Sequence, residues 1–353
     1  MSEVTALLRE TLRELVPYRV PVHKGVVKLD ANENPYDFPP AVREAILGAV
    51  ETALFTRYPD AAAEELREAL AGYASVGPEQ IMVGNGSDEL ILDLLLAFGT
   101  GRRVVIPVPT FGMYRLHAVI AGAEPVLLPR REPGLPVDAE TLVRAAEGAA
   151  MVILCSPNNP TGDLLPWDTL VAVLERTGAV VVVDEAYYEF AGDTALPLLD
   201  RYPRLVLLRT FSKAFGLAGL RVGYMLGAPE MIGAVWRVKQ PFNVNTFSQL
   251  AAVQVLRHRE LFAGRIAEIG AERERLYEAL REVPGVCALP SRANFILFNT
   301  PRPARDVYDG LLARGVLIRS MDGPHLPRFL RVTVGRPEEN RLFITALREV
   351  CSA

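Results

Sequence analysis

The feature that most constrains this chain is a set of short apolar segments whose β-branched and aliphatic residues stand at consecutive rather than alternate positions. They fall at residues 103–108, 125–128, 150–155, 180–183, 205–208 and 222–226. A strand that is apolar on both faces is covered on both faces, as in a parallel sheet enclosed by helices. Amphipathic helical segments, at 88–98 and 167–176 among others, separate these stretches. The alternation predicts an α/β domain with a mainly parallel sheet between helices. From about residue 248 the pattern changes to a long helical stretch near 260–283, strand candidates at 293–298, 316–318 and 329–334, and helices near 304–313 and 338–350. That order fits a smaller α+β domain. The expected division is an N-terminal helix and arm over 1–33, a large domain over 34–247 and a small C-terminal domain over 248–353, with no flexible linker between the last two. At 353 residues, half of them hydrophobic, the chain has core enough for both.

Composition narrows the function classes. Lys and Arg number 38 against 42 Asp and Glu, and no basic block suits a phosphate backbone. Nucleic-acid binding is therefore not expected. Cys155, Cys287 and Cys351 are scattered and odd in number, which points to a reducing compartment. His23, His117, His258 and His325 have no metal-like spacing with each other or with the cysteines, so no metal site is expected. Residues 1–18 carry Glu3, Glu10 and Glu14 among leucines, which reads as an amphipathic helix and not as the apolar core of a signal peptide. Runs such as 180–183 and 94–98 are far too short to cross a bilayer. The expectation is a cytoplasmic protein without a membrane partner.

Polar residues cluster where the predicted strands end, the place at which open α/β sheets bind ligands. In residues 207–224, LLRTFSKAFGLAGLRVGY, a strand delivers Thr210, Ser212 and Lys213, and Arg221 follows. Lysine can form a Schiff base, and hydroxyls with an arginine make a phosphate cup. Alone, the plainer reading of a surface lysine in a small-residue turn would prevail. Residues 180–187, VVVVDEAY, put Asp184 directly behind an apolar strand, with Tyr187 three residues on. A carboxylate there is costly without a cation or metal, and with no metal cluster a protonated ring nitrogen is a sensible partner. A helix N-cap is the competing role. CSPNNPTG at 155–162 follows another strand. Its prolines and glycine would hold an amide side chain rigidly, although turns of this kind are common. VGNGSDE at 83–89 leads into an apolar helix. The N–H groups of Gly86 and Ser87, with the helix dipole behind them, suit either a phosphate or a plain cap.

Taken together, Gly86-Ser87-Asp88, Asn159-Pro160-Thr161-Gly162, Asp184-Glu185-Ala186-Tyr187 and Ser212-Lys213 with Arg221 resemble the class I/II aminotransferases of fold type I. The resemblance runs over nearly the whole chain, in the right order and spacing. The flanking segments LVPY (15–18), LDANENP (29–35), RYPD (57–60), PFNVN (241–245) and FLRVTVG (329–335) are most similar to the histidinol-phosphate aminotransferases.

The resemblance implies a seven-stranded type of large sheet, pyridoxal 5′-phosphate as cofactor, and a homodimer with the active site at its interface. By position, Lys213 would anchor the cofactor covalently and then shuttle a proton at the substrate α-carbon. Asp184 would keep the ring nitrogen protonated. Asn159 and Tyr187 would bond the ring's phenolate oxygen, and Phe111 would lie against the ring. Ser87, Thr210, Ser212 and Arg221, with the N–H groups of Gly86 and Ser87 and the adjoining Asp88, would form the phosphate site, to which Tyr58 of the partner subunit would reach. Arg331 and Arg319, with Tyr18 and Phe242, would meet the substrate, one anion site serving both a carboxylate and a phosphate. Phe111 and Phe242 stand where such enzymes often carry tyrosine. The implied reaction is amino transfer between L-histidinol phosphate and 2-oxoglutarate in histidine biosynthesis. Alternatives on the same fold are an aromatic amino-acid aminotransferase and a decarboxylase of O-phosphothreonine.

Overall fold

The computed structural model describes residues 3–13, 15–17 and 22–352. Its strands, in chain order, are Val27–Lys28 (β1), Ile81–Gly84 (β2), Arg103–Val108 (β3), Glu124–Pro129 (β4), Met151–Cys155 (β5), Val180–Asp184 (β6), Leu205–Thr210 (β7), Gly223–Gly227 (β8), Cys287–Ala288 (β9), Phe295–Asn299 (β10), Val316–Leu317 (β11), Arg319–Ser320 (β12) and Phe329–Thr333 (β13). A 7-stranded sheet has the order β2-β8-β7-β6-β5-β3-β4. From β7 to β4 all neighbours are parallel, while β8 runs antiparallel to β7 and β2. The fold is thus the α/β architecture expected of fold type I.

Every residue of β5, β6 and β7 is buried, which is why these strands read as unbroken apolar runs. Alternation still operates within them. Val181, Val183, Leu205 and Leu207 join one core, and Val180, Val182, Val206 and Leu208 join the core on the opposite face. Each such side chain contributes roughly 1.5–3 kcal/mol by leaving water. Strand β2 is a strand that the sequence pattern does not announce, because the four residues IMVG are too few to show a period.

A second sheet, antiparallel in the order β12-β13-β10-β9, carries its own core of residues such as Ile296, Phe298, Leu330 and Phe343. The parallel pair β1 and β11 fastens the chain's beginning to this region, and Leu29 enters the same core. The change from one core to the other falls inside the helix Ala263–Arg281. Its Ile266 packs on the large-sheet core, whereas Ile269, Leu276 and Leu280 pack on the small one. One stiff helix therefore spans both regions.

The N-terminal segment departs from the single helix expected over residues 1–18. Among the described residues it forms two short helices, Glu3–Ala6 and Glu10–Arg13. The physical reason is lack of a surface: Leu7 is 84% exposed, and a helix this short is marginal without an apolar face to bury. Arg13 instead donates to the carbonyls of Ala6 (2.8 Å) and Leu8 (3.1 Å), and Arg9 donates to that of Ile120 (2.6 Å). The predicted helix 88–98 is also divided, into an α-helix over Ser87–Leu94 and a wider π turn over Leu95–Gly99. No helix among the described residues is long and apolar enough to cross a membrane.

Behind the carboxyl ends of β6 and β7 lies a buried polar cluster. Arg209 pairs with Glu185 at 2.9 Å, both 2% exposed, and its guanidinium stacks on the ring of Tyr188 at 3.8 Å. Both carboxylate oxygens of Glu189 are buried nearby without a hydrogen-bond partner. Burial pushes this carboxyl from 4.5 up to about 8; Glu185 adds to the rise and Arg209 opposes it. The folded state therefore holds the proton more tightly than the unfolded chain does. The stabilising contribution is fully present below about 4.5 and is lost as pH rises through about 8. We expect urea unfolding to show stability falling across that window, by at most about 1.4 kcal/mol per pH unit, and Glu189→Gln to flatten the fall. A native profile as flat as that of the variant would contradict the assignment.

Candidate functional site

The register of the parallel strands sets the site. Cys155 at the end of β5 lies opposite Asp184 at the end of β6, and Asp184 lies opposite Leu208, two residues before Thr210. The loops leaving these strands open together on a cavity of about 700 Å³. Its lining includes Ser87, Asp88, Phe111, Asn159, Asp184, Tyr187, Thr210, Ser212, Lys213, Arg221, Arg319 and Arg331. Residues far apart in sequence thus face one space.

Asp184 is the most buried of the charged residues lining the cavity, 3% exposed. Its Oδ2 accepts the hydroxyl of the buried Tyr114 at 2.6 Å and its Oδ1 accepts the N–H of Ala186 at 3.0 Å. Burial pushes the carboxyl up to about 6, and these two bonds oppose the rise. The carboxylate is held from behind by these two donors. A cation or protonated ring in the cavity would complete its shell.

Lys213 reaches the same cavity and donates to the carbonyl of Ala31 at 3.0 Å. Burial pushes its amine down to about 8, with Arg331 acting in the same direction and Glu33 and Asp88 against it. A lysine that loses its proton this easily can attack a carbonyl carbon, which an ordinary ammonium cannot.

At one end of the cavity the groups suit a phosphate. Gly86, at φ 77°, is the N-cap of the helix Ser87–Leu94. Gly223 lets β8 pass directly behind this turn, since a Cβ there would stand 2.4 Å from the nitrogen of Ser87. Arg221, itself at φ 54°, extends to Asp88 at 3.1 Å and lies beside Gly86. Thr210 and Ser212 link their hydroxyls at 3.0 Å. Hydroxyls, a guanidinium and a helix N-terminus converge there.

The opposite wall comes from the small sheet. Arg319 on β12 and Arg331 on β13 are cross-strand partners, and both line the cavity. Like charges in that register repel unless an anion joins them. Arg331 donates to Asn159 Oδ1 at 2.5 Å and to the carbonyl of Asp30 at 2.7 Å. Asn159 is held by its turn: the N–H of Gly162 bonds the carbonyl of Asn158, Asn158 Nδ2 donates to Thr161 at 2.6 Å, and Thr110 donates to Asn158 Oδ1 at 2.7 Å. The hydroxyl of Tyr187 accepts from Asn32 at 3.0 Å and from Asn159 at 3.4 Å. Phe111 lies on the wall, edge-on to Tyr114 at 5.5 Å between ring centroids.

Some expected residues lie elsewhere. Tyr58, 81% exposed, stacks on Phe242 at 4.6 Å, and neither lines the cavity of its own chain. Tyr18 lies outside the described residues. Conversely, Tyr114, Ala31 and Asn32 belong to the site without having been singled out by chemistry. Asn32 stands within the distinctive segment 29–35, so a signal was present. Tyr114 gives none, since its partner is 70 residues away.

Comparison with known proteins agrees with this geometry. Residues 24–347 match the family described as aminotransferase class I and II. The chain is 43% identical to a histidinol-phosphate aminotransferase of Desulfitobacterium hafniense, covering 97% of each chain. It is 44% identical to one of Thermococcus kodakarensis, over 97% of this chain and 98% of that one. Among solved structures it is similar to the histidinol-phosphate aminotransferase of Sinorhizobium meliloti in complex with pyridoxal-5′-phosphate, with a TM-score of 0.89, 28% identity and 98% coverage of both chains.

Proposed function

The chain belongs to the class I and II aminotransferases, and on that footing we propose that it transfers the amino group of L-histidinol phosphate to 2-oxoglutarate, with pyridoxal 5′-phosphate as cofactor. The observation that carries the reading is the pairing, in one cavity, of a lysine pushed down to about 8 with a buried carboxylate that lacks a cation on the cavity side. The residues fit this cofactor at each of its polar points: an amine for its aldehyde, a carboxylate for its ring nitrogen, and a hydroxyl, guanidinium and helix N-terminus cup for its phosphate. The similarity to histidinol-phosphate aminotransferases supports the substrate.

When bound, pyridoxal phosphate supplies an electrophilic carbon and a ring that accepts electrons from the substrate α-carbon. Lys213 would hold the cofactor through Nζ, and its amine is the group placed to move the proton at the substrate α-carbon. Asp184 holds the proton on the ring nitrogen, and Tyr114 keeps that carboxylate in place. Tyr187 and Asn159 would donate to the phenolate oxygen of the bound cofactor. Ser87, Thr210, Ser212 and Arg221, with the N–H groups at Gly86 and Ser87, would bind the phosphate, and Phe111 would pack against the ring. Arg331 and Arg319 bind the substrate's anion, phosphate in one half-reaction and carboxylate in the other; a planar guanidinium accepts both. Tyr18 completes the substrate surround in this reading, and Phe242, which lies outside its own chain's cavity and stacks on Tyr58, would reach a substrate only across the dimer interface.

The same reading makes the enzyme a homodimer with Tyr58 of the partner subunit at the phosphate. Support comes from the exposure of Tyr58 with its neighbours Leu54 and Phe55, 71% and 62% exposed, an apolar group that invites cover. A cytoplasmic location goes with it, supported by three free thiols, and cell fractionation would check it.

The purified protein should be yellow, and Lys213→Ala should lose both the colour and nearly all amino transfer; a borohydride-reducible adduct at the native level in this variant would remove Lys213 from the role. Mixing Tyr58→Glu with Lys213→Ala subunits tests the interface. Hybrids should regain activity, because one of their sites keeps both native residues, and no recovery despite proven subunit exchange would place Tyr58 outside the partner's site. Arg331→Ala should weaken both histidinol phosphate and glutamate by about ten- to a hundredfold, the loss of a charge-assisted bond of roughly 1.5–3 kcal/mol. The deciding measurement is kcat/KM for histidinol phosphate against phenylalanine and O-phosphothreonine. A preference for phenylalanine, or carbon dioxide release from phosphothreonine as the main reaction, would replace the proposed activity.

A further inference from the structure

The hydroxyl of Tyr187 sits between two side-chain amides that cannot turn round. Asn32 Nδ2 donates to it at 3.0 Å and Asn159 Nδ2 at 3.4 Å. The Oδ1 of Asn159 is occupied by Arg331. The Oδ1 of Asn32 accepts the hydroxyl of Thr333 at 3.2 Å, and the Thr333 hydroxyl oxygen in turn accepts the backbone N–H of Asn32 at 2.9 Å. A phenol has one proton to donate and two lone pairs to accept with. Both lone pairs face amides here, so the proton of Tyr187 is left to point into the cavity.

Asn32 is fixed more firmly than a residue of a peripheral arm requires. It is 1% exposed and sits at φ 53°, a conformation asparagine tolerates better than most residues. Its carbonyl accepts Asn294 Nδ2 at 3.1 Å. Thr333 ends β13 and Asn294 directly precedes β10, so the small sheet holds the amide that meets Tyr187 of the large domain.

We propose that Asn32 is a positioning residue: by donating to Tyr187 and offering it no acceptor, it aims the Tyr187 proton at the cofactor's phenolate oxygen. This rests on the cofactor reading given above. The basicity of the Lys213 linkage then depends on how the small sheet seats residue 32. The titratable and charged groups facing this arrangement are Arg331 from β13, Asp184 from β6 and Cys155 from β5, with Glu33, Asp88 and Arg221 around Lys213. All of them persist in the variants below.

The test reads the pH midpoint at which the visible absorption of the holoenzyme changes, without substrate. Tyr187→Phe is the reference and should raise the midpoint by about one unit, through loss of a hydrogen bond to a charged oxygen. Asn32→Asp keeps the size and tolerates the backbone, but gives Tyr187 an acceptor, so a similar rise is expected. In the double variant the midpoint should stay where Tyr187→Phe alone puts it, because the effect runs through Tyr187. No shift in Asn32→Asp, or a shift that persists in full on the Tyr187→Phe background, overturns the proposal. If Tyr187→Phe itself leaves the midpoint in place, the role of Tyr187 at the phenolate fails, a result distinct from failure of Asn32. Should Asn32→Asp not fold, Thr333→Val removes the hydroxyl that pins the amide. It should give a smaller rise that vanishes on the Tyr187→Phe background, and absence of any rise again overturns the proposal.

Discussion

A carboxylate that sits 3% exposed at the end of a strand with apolar neighbours on both sides must be compensated locally or lose its charge. In this chain the compensation for Asp184 is partial by design of the fold. Tyr114 and the N–H of Ala186 bond it from behind, and its remaining demand faces the cavity. The parallel register that brings Cys155, Asp184 and Leu208 level makes this possible, because loops that leave adjacent strand ends open on the same side. The need for a cation beside Asp184 and the easily neutralised amine of Lys213 are two halves of one electrostatic arrangement. A cationic ring joined to a neutral amine satisfies both.

The segment 30–34 ties this arrangement together through its backbone as much as through its side chains. The carbonyl of Asp30 meets Arg331, that of Ala31 meets Lys213, and the side chain of Asn34 donates to the carbonyl of Ala214, next to Lys213. With β1 paired to β11, the arm belongs structurally to the small sheet while its contacts belong to the large one. The helix Ala263–Arg281 makes the same crossing from the other side. Two covalent crossings and a web of short bonds thus fix how the arginine wall faces the carboxylate floor.

The central strands were legible because burial on both faces leaves an unmistakable run of apolar residues, as in β5 and β6. The polar residues after them could be read as a site because strand ends are where such sheets expose function. What was not legible follows from distance and from partners. Tyr114 holds Asp184 across 70 residues, and no local pattern marks an acceptor that far away. The helical period at the N-terminus was real, yet period alone does not supply a surface, and the helix breaks after Ala6. Asn32 lay in a distinctive segment, but its meaning depends on Thr333, a residue from the far end of the chain. Tyr58 and Phe242 cannot be interpreted within one chain at all, since both face outward.

Consecutive residues of a strand end point to opposite faces, so Asp184 and Glu185 serve different masters. Asp184 looks into the cavity; Glu185 grips Arg209, whose neighbour Thr210 lines that cavity. Either member of the Glu185–Arg209 pair, replaced alone, strands a buried charge at a cost of about 3–5 kcal/mol, whereas replacing both with apolar groups of similar volume can be close to neutral. Descent with modification at these positions must therefore pass through paired changes. Sequences related to this one should keep the couple intact or exchange it together, even though neither member lines the cavity.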